Sequence, residues 1–372
     1  MPPLNILIKP ASSLCNMRCK YCFYKDVSES REHRSMGVMS LDTLETVVKR
    51  AFEYATDFVG FAFQGGEPTL VGLDFYRELI LLQRQYNTKR IKVTNSIQTN
   101  GYIIDGEWAK FFAENGFLVG LSMDGTKEAH DSLRVDADGK GTFDRVVKAA
   151  DILQKNGAEF NILCVVNNFV ARHPKKVYDQ LKKYKYIQFI ACLDSLEGEK
   201  TEFSLSEERY ASFLVQTFAL YYADFMSGKY VSIRNFDNYI SILLGRRPES
   251  CAMNGFCTCY CVVEGDGSVY PCDFYVLDRR RLGNVRENGF GEMIESETAK
   301  KFVEKSFFVR EECKNCRYYK LCRGGCRRER EPFEDGVPSL NKHCTAYKAL
   351  FDACLEPMLE MARRIGAGYA PR

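Results

Sequence analysis

FVGFAFQGGEPTLVGLDFYRELILLQRQYNTKRIKVTNSIQ, residues 58–98, reads as one complete strand–helix–strand unit. FVGFAFQ at 58–64 is an apolar, aromatic run of strand length, halted by Gly65-Gly66. Residues 73–86 carry apolar side chains at helical spacing, and IKVTNSIQ at 91–98 is the next strand. Two strands joined through a helix lie parallel, because the crossover returns the chain to the same end of the sheet. The alternation extends outward in both directions. LNILI (4–8) is a strand, and residues 40–55 are a helix with Ser40 as N-cap and Leu41, Leu44, Val48 and Ala51 as its apolar face. Helix 105–115 leads to FLVGLSM (117–123), and helix 142–156, with Phe143, Val146, Val147, Ala150 and Leu153 on one face, leads to FNILCVV (160–166). Helix 174–184 leads to YIQFIAC (186–192), and a longer helix follows at 204–226, where Ser204 with Glu207 suggests a capping box.

Six βα units with right-handed crossovers roll a parallel sheet toward a barrel without the eight units needed to complete it. The expectation is an α/β fold: a partial (β/α)6, TIM-like barrel over 1–231, with its site at the C-terminal ends of the strands. From 232 the texture changes. Cysteines become dense and turns dominate, as in EGDGS (264–268), NVRENGFG (284–291) and RGGC (323–326). A metal-bearing module over 232–345 fits this composition, because metal bonds replace a core that such a segment cannot build. A closing helix occupies 346–372.

Composition narrows the chemistry. Lys+Arg 52 against Asp+Glu 49 gives a net charge of +3, too small a field to make nucleic acid a default partner. No apolar run reaches the roughly 18 residues of a membrane span, and MPPLNILIKP lacks a signal-peptide pattern. The expected location is the cytoplasm, where thiols stay reduced. Sixteen Cys beside only 4 His then point to metal or iron–sulfur ligation rather than to disulfides or His-based hydrolysis.

Cys15, Cys19 and Cys22 stand as C-x3-C-x2-C just after the first strand. Three thiolates on one loop can hold three irons of a [4Fe–4S] cluster and leave the fourth open to a substrate or cofactor. Spacing alone also admits three loop cysteines, or a zinc site completed by a distant ligand. Taken together, CNMRCKYC and Gly65-Gly66-Glu67-Pro68 resemble the signatures of the radical S-adenosylmethionine (SAM) enzymes. That resemblance implies a SAM pocket in which GGEP receives the amino group, while Ser122 and Arg134 contact the ribose and the methionine carboxylate. Tyr21, Tyr24 and Gln64 would line the pocket, and Leu193 would touch adenine. The residues alone leave Arg134 open as a surface ion-pair partner and Leu193 as core.

The later cysteines resemble the SPASM extension of radical SAM enzymes that modify peptides. Cys257 and Cys272 are followed by C-x2-C-x5-C-x3-C (Cys313, Cys316, Cys322, Cys326) and Cys344. With Cys251 they make eight ligands, enough for two further [4Fe–4S] clusters. The resemblance assigns Cys251, Cys257, Cys272 and Cys326 to one and Cys313, Cys316, Cys322 and Cys344 to the other. Cys259 and Cys261 crowd the same loop and leave the choice of Cys251 and Cys257 open. Cys164, Cys192 and Cys354 read as small core residues. Two structural zinc sites are the alternative for this region.

Asp273 follows Cys272 in YPCDFY, which looks like the anaerobic sulfatase-maturating enzymes, where the Asp in this position serves as a base. The implied reaction is SAM cleavage to a 5′-deoxyadenosyl radical and oxidation of a Ser or Cys in an unfolded C/S-x-P-x-R segment of a sulfatase to Cα-formylglycine. The implied cofactors are SAM and three [4Fe–4S] clusters; the implied partners are the sulfatase polypeptide and an electron donor such as ferredoxin or flavodoxin. The alternatives are a SPASM enzyme that forms thioether or carbon–carbon crosslinks in a precursor peptide, and a zinc-binding module without catalysis. Crosslinkers commonly carry an N-terminal recognition domain, and the first strand begins within five residues of Met1. The basic runs Arg279–Arg281 and Arg327-Arg328 read as solvated faces.

Overall fold

The computed structural model describes residues 3–334 and 337–371. In chain order the main elements are β1 (Leu4–Ile8), α1 (Phe23–Glu29), α2 (Leu41–Tyr54), β2 (Phe58–Phe63), α3 (Leu73–Tyr86), β3 (Lys92–Thr99), α4 (Gly106–Glu114) and β4 (Phe117–Ser122). They continue with α5 (Lys127–Leu133), α6 (Phe143–Lys155), β5 (Phe160–Val166), α7 (Pro174–Leu181), β6 (Tyr186–Ala191), α8 (Glu207–Met226), β7 (Ser232–Ile233) and α9 (Arg234–Leu243). Three short strands, β8 (Val262–Val263), β9 (Ser268–Tyr270) and β10 (Gly283–Asn284), precede a final helix, Cys344–Gly366. The chain divides into two compact units.

The first unit gathers the chain up to Ser122 with Asp131–Phe160 and Cys259–Phe302. Its strands run in the order β10-β9-β8-β1-β2-β3-β4. β1 to β4 are parallel in register, for example Ile6 beside Phe61 and Phe61 beside Asn95. The short strands add to the free edge of β1: β8 pairs with it in parallel, Leu7 beside Val262 and Ile8 beside Val263, and β9 and β10 continue antiparallel. Covering this edge satisfies backbone donors that would otherwise stay open; Leu7 N donates to Cys261 O at 3.2 Å and Lys9 N to Val263 O at 2.8 Å. The core centres on Tyr76, whose ring meets Phe63 edge-on at 5.1 Å and Trp108 at 5.6 Å, and whose hydroxyl donates to Pro68 O at 2.9 Å. Buried aromatics of this kind each contribute about 1 kcal/mol beyond area burial.

The second unit comprises Met123–His130, Asn161–Thr258 and the chain from Val303 onward. β5, β6 and β7 are parallel neighbours. α8 packs against the final helix, and edge-on contacts tie the layers together: Phe189 to Phe213 at 5.0 Å, Phe218 to Phe236 at 5.1 Å and Tyr239 to Phe351 at 5.0 Å.

Ser40 caps α2 as expected, its side chain accepting from Thr43 N at 3.2 Å, a bond that contributes about 1 kcal/mol. The buried face of that helix is shifted: Leu41 is 52% exposed, while Val47 and Phe52 are buried beside Leu44, Val48 and Ala51. The capping box at Ser204 does not form. α8 begins after Ser206, whose hydroxyl accepts from Arg209 N, while Ser204 Oγ accepts from Thr201 N at 2.9 Å in the preceding turn. The Arg327-Arg328 run is also not a solvated face. Arg327, Arg328 and Arg330 are buried in a 3-10 turn (Arg327–Arg330), with Arg328 donating to Asp194 O at 2.9 Å and Arg330 aimed at the carbonyls of Ser306 and Phe308. Arg279 and Arg281 are exposed. α9, inside the cysteine-rich half, was not foreseen. Cys164, Cys192 and Cys354 are buried.

Candidate active site

The chain leaving β1 turns back on itself between Lys9 and Cys22. Ser12 N donates to Lys9 O at 3.0 Å, Leu14 N to Ala11 O at 2.9 Å, and Ser12 takes a positive φ of 51°. The loop then zips onto the segment after α5: Arg18 N donates to Val135 O at 2.8 Å and Lys20 N to Leu133 O at 2.9 Å. Cys15, Cys19 and Cys22 are therefore presented from a loop held on two sides. Cys22 is the N-cap residue of α1. Met17 N lies 3.4 Å and Asn100 Nδ2 3.8 Å from Cys15 Sγ.

The second hold is the GGEP turn at the end of β2. Gly66 N donates to Ser12 O at 2.8 Å and Glu67 N to Leu14 O at 2.7 Å. A Cβ on Gly66 would meet Leu14 O at 2.0 Å, so only glycine lets the two loops approach. Glu67 is buried and spends its carboxylate inside the scaffold. Oε1 accepts from Thr69 Oγ1 at 2.6 Å and Thr99 Oγ1 at 2.7 Å, and Oε2 accepts from Asn100 N at 2.8 Å. Burial raises its pKa, and these donors oppose the rise. Glu67 thus clasps the ends of β2 and β3 together.

Arg134 is buried and donates from Nη1 to Tyr21 Oη at 2.8 Å. Ser122 Oγ, at the end of β4, accepts from Gln98 Nε2 at 2.9 Å. Tyr24, on the first turn of α1, donates to Asp273 Oδ2 at 2.7 Å, and Gln64 Oε1 lies 3.3 Å from the same hydroxyl. Asp273 Oδ1 is shut off from water and has no hydrogen-bond partner among the described residues. Burial raises the Asp273 pKa, while the charge on Lys9 and the Tyr24 hydroxyl restrain it.

Three residues here were not anticipated from the sequence. Lys9 runs its stem under Gly65 and places Nζ 3.0 Å from Glu264 Oε1 and 5.0 Å from the Tyr24 ring centre. Arg31 Nη1 reaches the same Glu264 oxygen at 2.7 Å. All three side chains are almost wholly out of solvent. Burial would raise the Glu264 pKa, but the two cations hold it below the usual carboxylate range. Two cations against Glu264 leave one positive charge, which an ionised Asp273 would balance. The only signal in the sequence is a lysine at the end of an apolar strand.

In the second unit, Cys257 N donates to Ser306 Oγ at 2.8 Å. Burial pushes the Cys322 thiol up to about 12 and Cys326 higher still, and it also raises Cys251, Cys257, Cys313 and Cys344. Cys316 is partly exposed on the same loop. Cys272 belongs to the first unit, as do Cys259 and Cys261, whose thiols hydrogen-bond each other. Leu193 belongs to the second unit, just past β6, and is partly exposed.

The residues fit iron–sulfur clusters. Burial pushes the Cys15 thiol up to about 12, so the thiolate that binds metal forms when a cation stabilises it. The two N–H groups beside its sulfur are donors that such a thiolate accepts. Among the described residues no three of His, Cys, Asp and Glu close on a single ion; a cubane instead takes one thiol per iron.

Comparison with known proteins agrees with this chemistry. Residues 10–181 match the radical SAM superfamily and residues 251–317 an iron–sulfur cluster-binding domain, SPASM. The chain is 50% identical over 370 residues to the cysteine-type anaerobic sulfatase-maturating enzyme of Clostridium novyi, covering 98% of this chain and 99% of the relative. It is 32% identical over 390 residues to the serine-type enzyme of Bacteroides thetaiotaomicron, covering 99% and 94%. The solved structure of native anSMEcpe with bound AdoMet and Cp18Cys peptide superposes with a TM-score of 0.93 at 50% identity, covering 98% of this chain and 100% of that one.

Proposed function

We propose that this chain, which belongs to the anaerobic sulfatase-maturating enzymes of the radical SAM superfamily, acts on cysteine in its target segment. It is a SAM-dependent oxidoreductase with three [4Fe–4S] clusters that activates sulfatases by converting a side chain to Cα-formylglycine. The preference for cysteine is supported by the higher identity to cysteine-type relatives, 50% against 32%.

The observation that carries the mechanism is the unpartnered, buried Oδ1 of Asp273 at the end of the Tyr24–Gln64 chain. Cys15, Cys19 and Cys22 would hold a cluster at which SAM, when bound, would supply abstraction of one hydrogen atom from the substrate Cβ. Asp273 accepts the thiol proton on Oδ1, while Tyr24 holds Oδ2 and fixes the direction in which Oδ1 points. Lys9 keeps a positive charge near the carboxylate. Gly65, Gly66 and Glu67 shape the turn for the SAM amino group, Arg134 with Tyr21 orients its carboxylate, and Ser122 and Leu193 bound the nucleoside. The remaining eight ligands, Cys251, Cys257, Cys272, Cys313, Cys316, Cys322, Cys326 and Cys344, hold the two auxiliary clusters. The barrel at 1–231, the SPASM module at 232–345 and the closing helix at 346–372 divide this labour. A reduced cytoplasm with a ferredoxin or flavodoxin as electron donor suits oxygen-sensitive clusters; no helix among the described residues is long and apolar enough to cross a membrane.

The test is anaerobic incubation with SAM, dithionite and paired peptides containing C-x-P-x-R or S-x-P-x-R. The expected products are 5′-deoxyadenosine and an aldehyde, formed faster from the cysteine peptide. Equal rates on the two peptides would reject the cysteine preference, and a dehydrated or crosslinked peptide in place of the aldehyde would reject the oxidation chemistry.

A further inference from the structure

In the second unit an open groove of about 490 Å³ lies on the loops that carry the cysteines assigned to auxiliary clusters. Its walls are apolar and aromatic: Ile242, Phe256, Phe307, Val309 and Tyr319. Phe256 and Phe307 pack together at 5.7 Å between ring centres, yet stay 44% and 56% exposed, with Phe308 beside them at 45%. Exposed phenylalanines grouped this way cost solvation and mark a contact surface.

The charges at the groove have one sign. Lys320 and Arg323 line it, no carboxylate does, and neither has a carboxylate partner among the described residues. Neighbouring cations differ in this respect: Arg310 pairs with Glu312, Lys314 with Glu311 and Arg317 with Asp352. Arg323 is held in place by its backbone, left-handed at φ 51°, and by Gly255, where an added Cβ would come within 2.9 Å of the Arg323 Cβ. The lining segments also lie next to the thiols in sequence. Asn254 to Phe256 fall between Cys251 and Cys257, and Tyr319 to Arg323 span Cys322.

We propose that this groove is the docking surface for a small, acidic one-electron carrier protein. Aromatic contact with a rim of unpaired cations suits the brief, electrostatically steered encounters of electron-transfer proteins, which bury little area. The direction of electron flow rests on the oxidation described above. A CH2–SH group that has lost a hydrogen atom from carbon to the SAM-derived fragment and a proton from sulfur to Asp273 still carries one electron in excess of a C=S double bond. The docked carrier, in its oxidised form, takes that electron, so that the carbon is oxidised and the carrier reduced; water then hydrolyses the C=S bond to the aldehyde and releases hydrogen sulfide.

Docking is tested on the reconstituted holoenzyme, without SAM or peptide, so the result is independent of what the enzyme oxidises. The probe is a fluorescently labelled, acidic flavodoxin titrated by anisotropy. The wild type is expected to bind at low ionic strength and to release as salt approaches about 0.2 M. Lys320→Glu with Arg323→Glu is expected to raise Kd at least about tenfold with iron and sulfide content unchanged. Lys320→Glu alone, on an exposed side chain, and Phe307→Ala each leave every cysteine in place and are expected to raise it about threefold. Equal affinity in the wild type and these variants, or binding insensitive to salt, would overturn the assignment.

Discussion

Gly66→Ala offers the sharpest test of how the first cysteine loop is held. The added Cβ would sit 2.0 Å from Leu14 O, 2.6 Å from Leu14 C and 2.7 Å from Ser13 C. These are backbone atoms, so no rotamer change relieves the clash; the loops must part by at least about 1 Å. Parting breaks the bonds from Gly66 N to Ser12 O and from Glu67 N to Leu14 O, each contributing about 1 kcal/mol. Overpacking adds about 1–3 kcal/mol, for a total of about 3–5 kcal/mol. Gly72→Ala is the control. Its φ is positive, at 83°, but nothing lies within 4 Å of the added Cβ, so only backbone strain of about 1 kcal/mol applies. Iron analysis, anaerobic urea unfolding and SAM cleavage to 5′-deoxyadenosine read the outcome. Gly66→Ala should lose the first cluster, falling from about twelve irons toward about eight, and cleave no SAM. Gly72→Ala should keep both. A Gly66→Ala protein with full iron, full cleavage and stability within about 1 kcal/mol of the control would refute this account of the turn.

Cys15→Ala should abolish SAM cleavage while the auxiliary clusters stay visible by Mössbauer spectroscopy; any retained cleavage removes this loop from the chemistry. Asp273→Asn should cleave SAM at the wild-type rate yet lose most aldehyde, at least about a hundredfold. Tyr24→Phe leaves Asp273 Oδ2 without its donor, and aldehyde yield per SAM cleaved should fall about tenfold; an unchanged ratio would make the hydroxyl incidental. Lys9→Met strips one cation from buried Glu264 and should destabilise the protein by about 3 kcal/mol in urea melts, whereas Lys9→Arg should recover part of that loss.

Much of the βα alternation was readable in advance because strand and helix periods are local. The strands at 4–8, 160–166 and the ends of the others fall within a residue of their predicted limits, since Gly and polar residues interrupt the apolar runs there. The cysteine spacings were readable for a similar reason, one loop supplying several ligands. Errors arose where two local solutions compete. Ser204 and Ser206 are both sound N-caps, and only the packing of α8 selects Ser206. Arg327 and Arg328 look solvated because isolated arginines are; the carbonyl that receives Arg328, on Asp194, lies 134 residues away in the sequence.

The amino-acid order by itself determined the βα alternation, the cluster loop and the glycine turn, because each depends on neighbours within a few residues. It left open why Lys9, Tyr24, Glu264 and Asp273 belong to one site. That was decided when β8 paired with the free edge of β1, carrying residues 264 and 273 across some 250 positions to meet Lys9 and Tyr24. A strand edge specifies only that its hydrogen bonds be met; which distant segment meets them, and with which side chains in its wake, is settled by the packing of the whole unit.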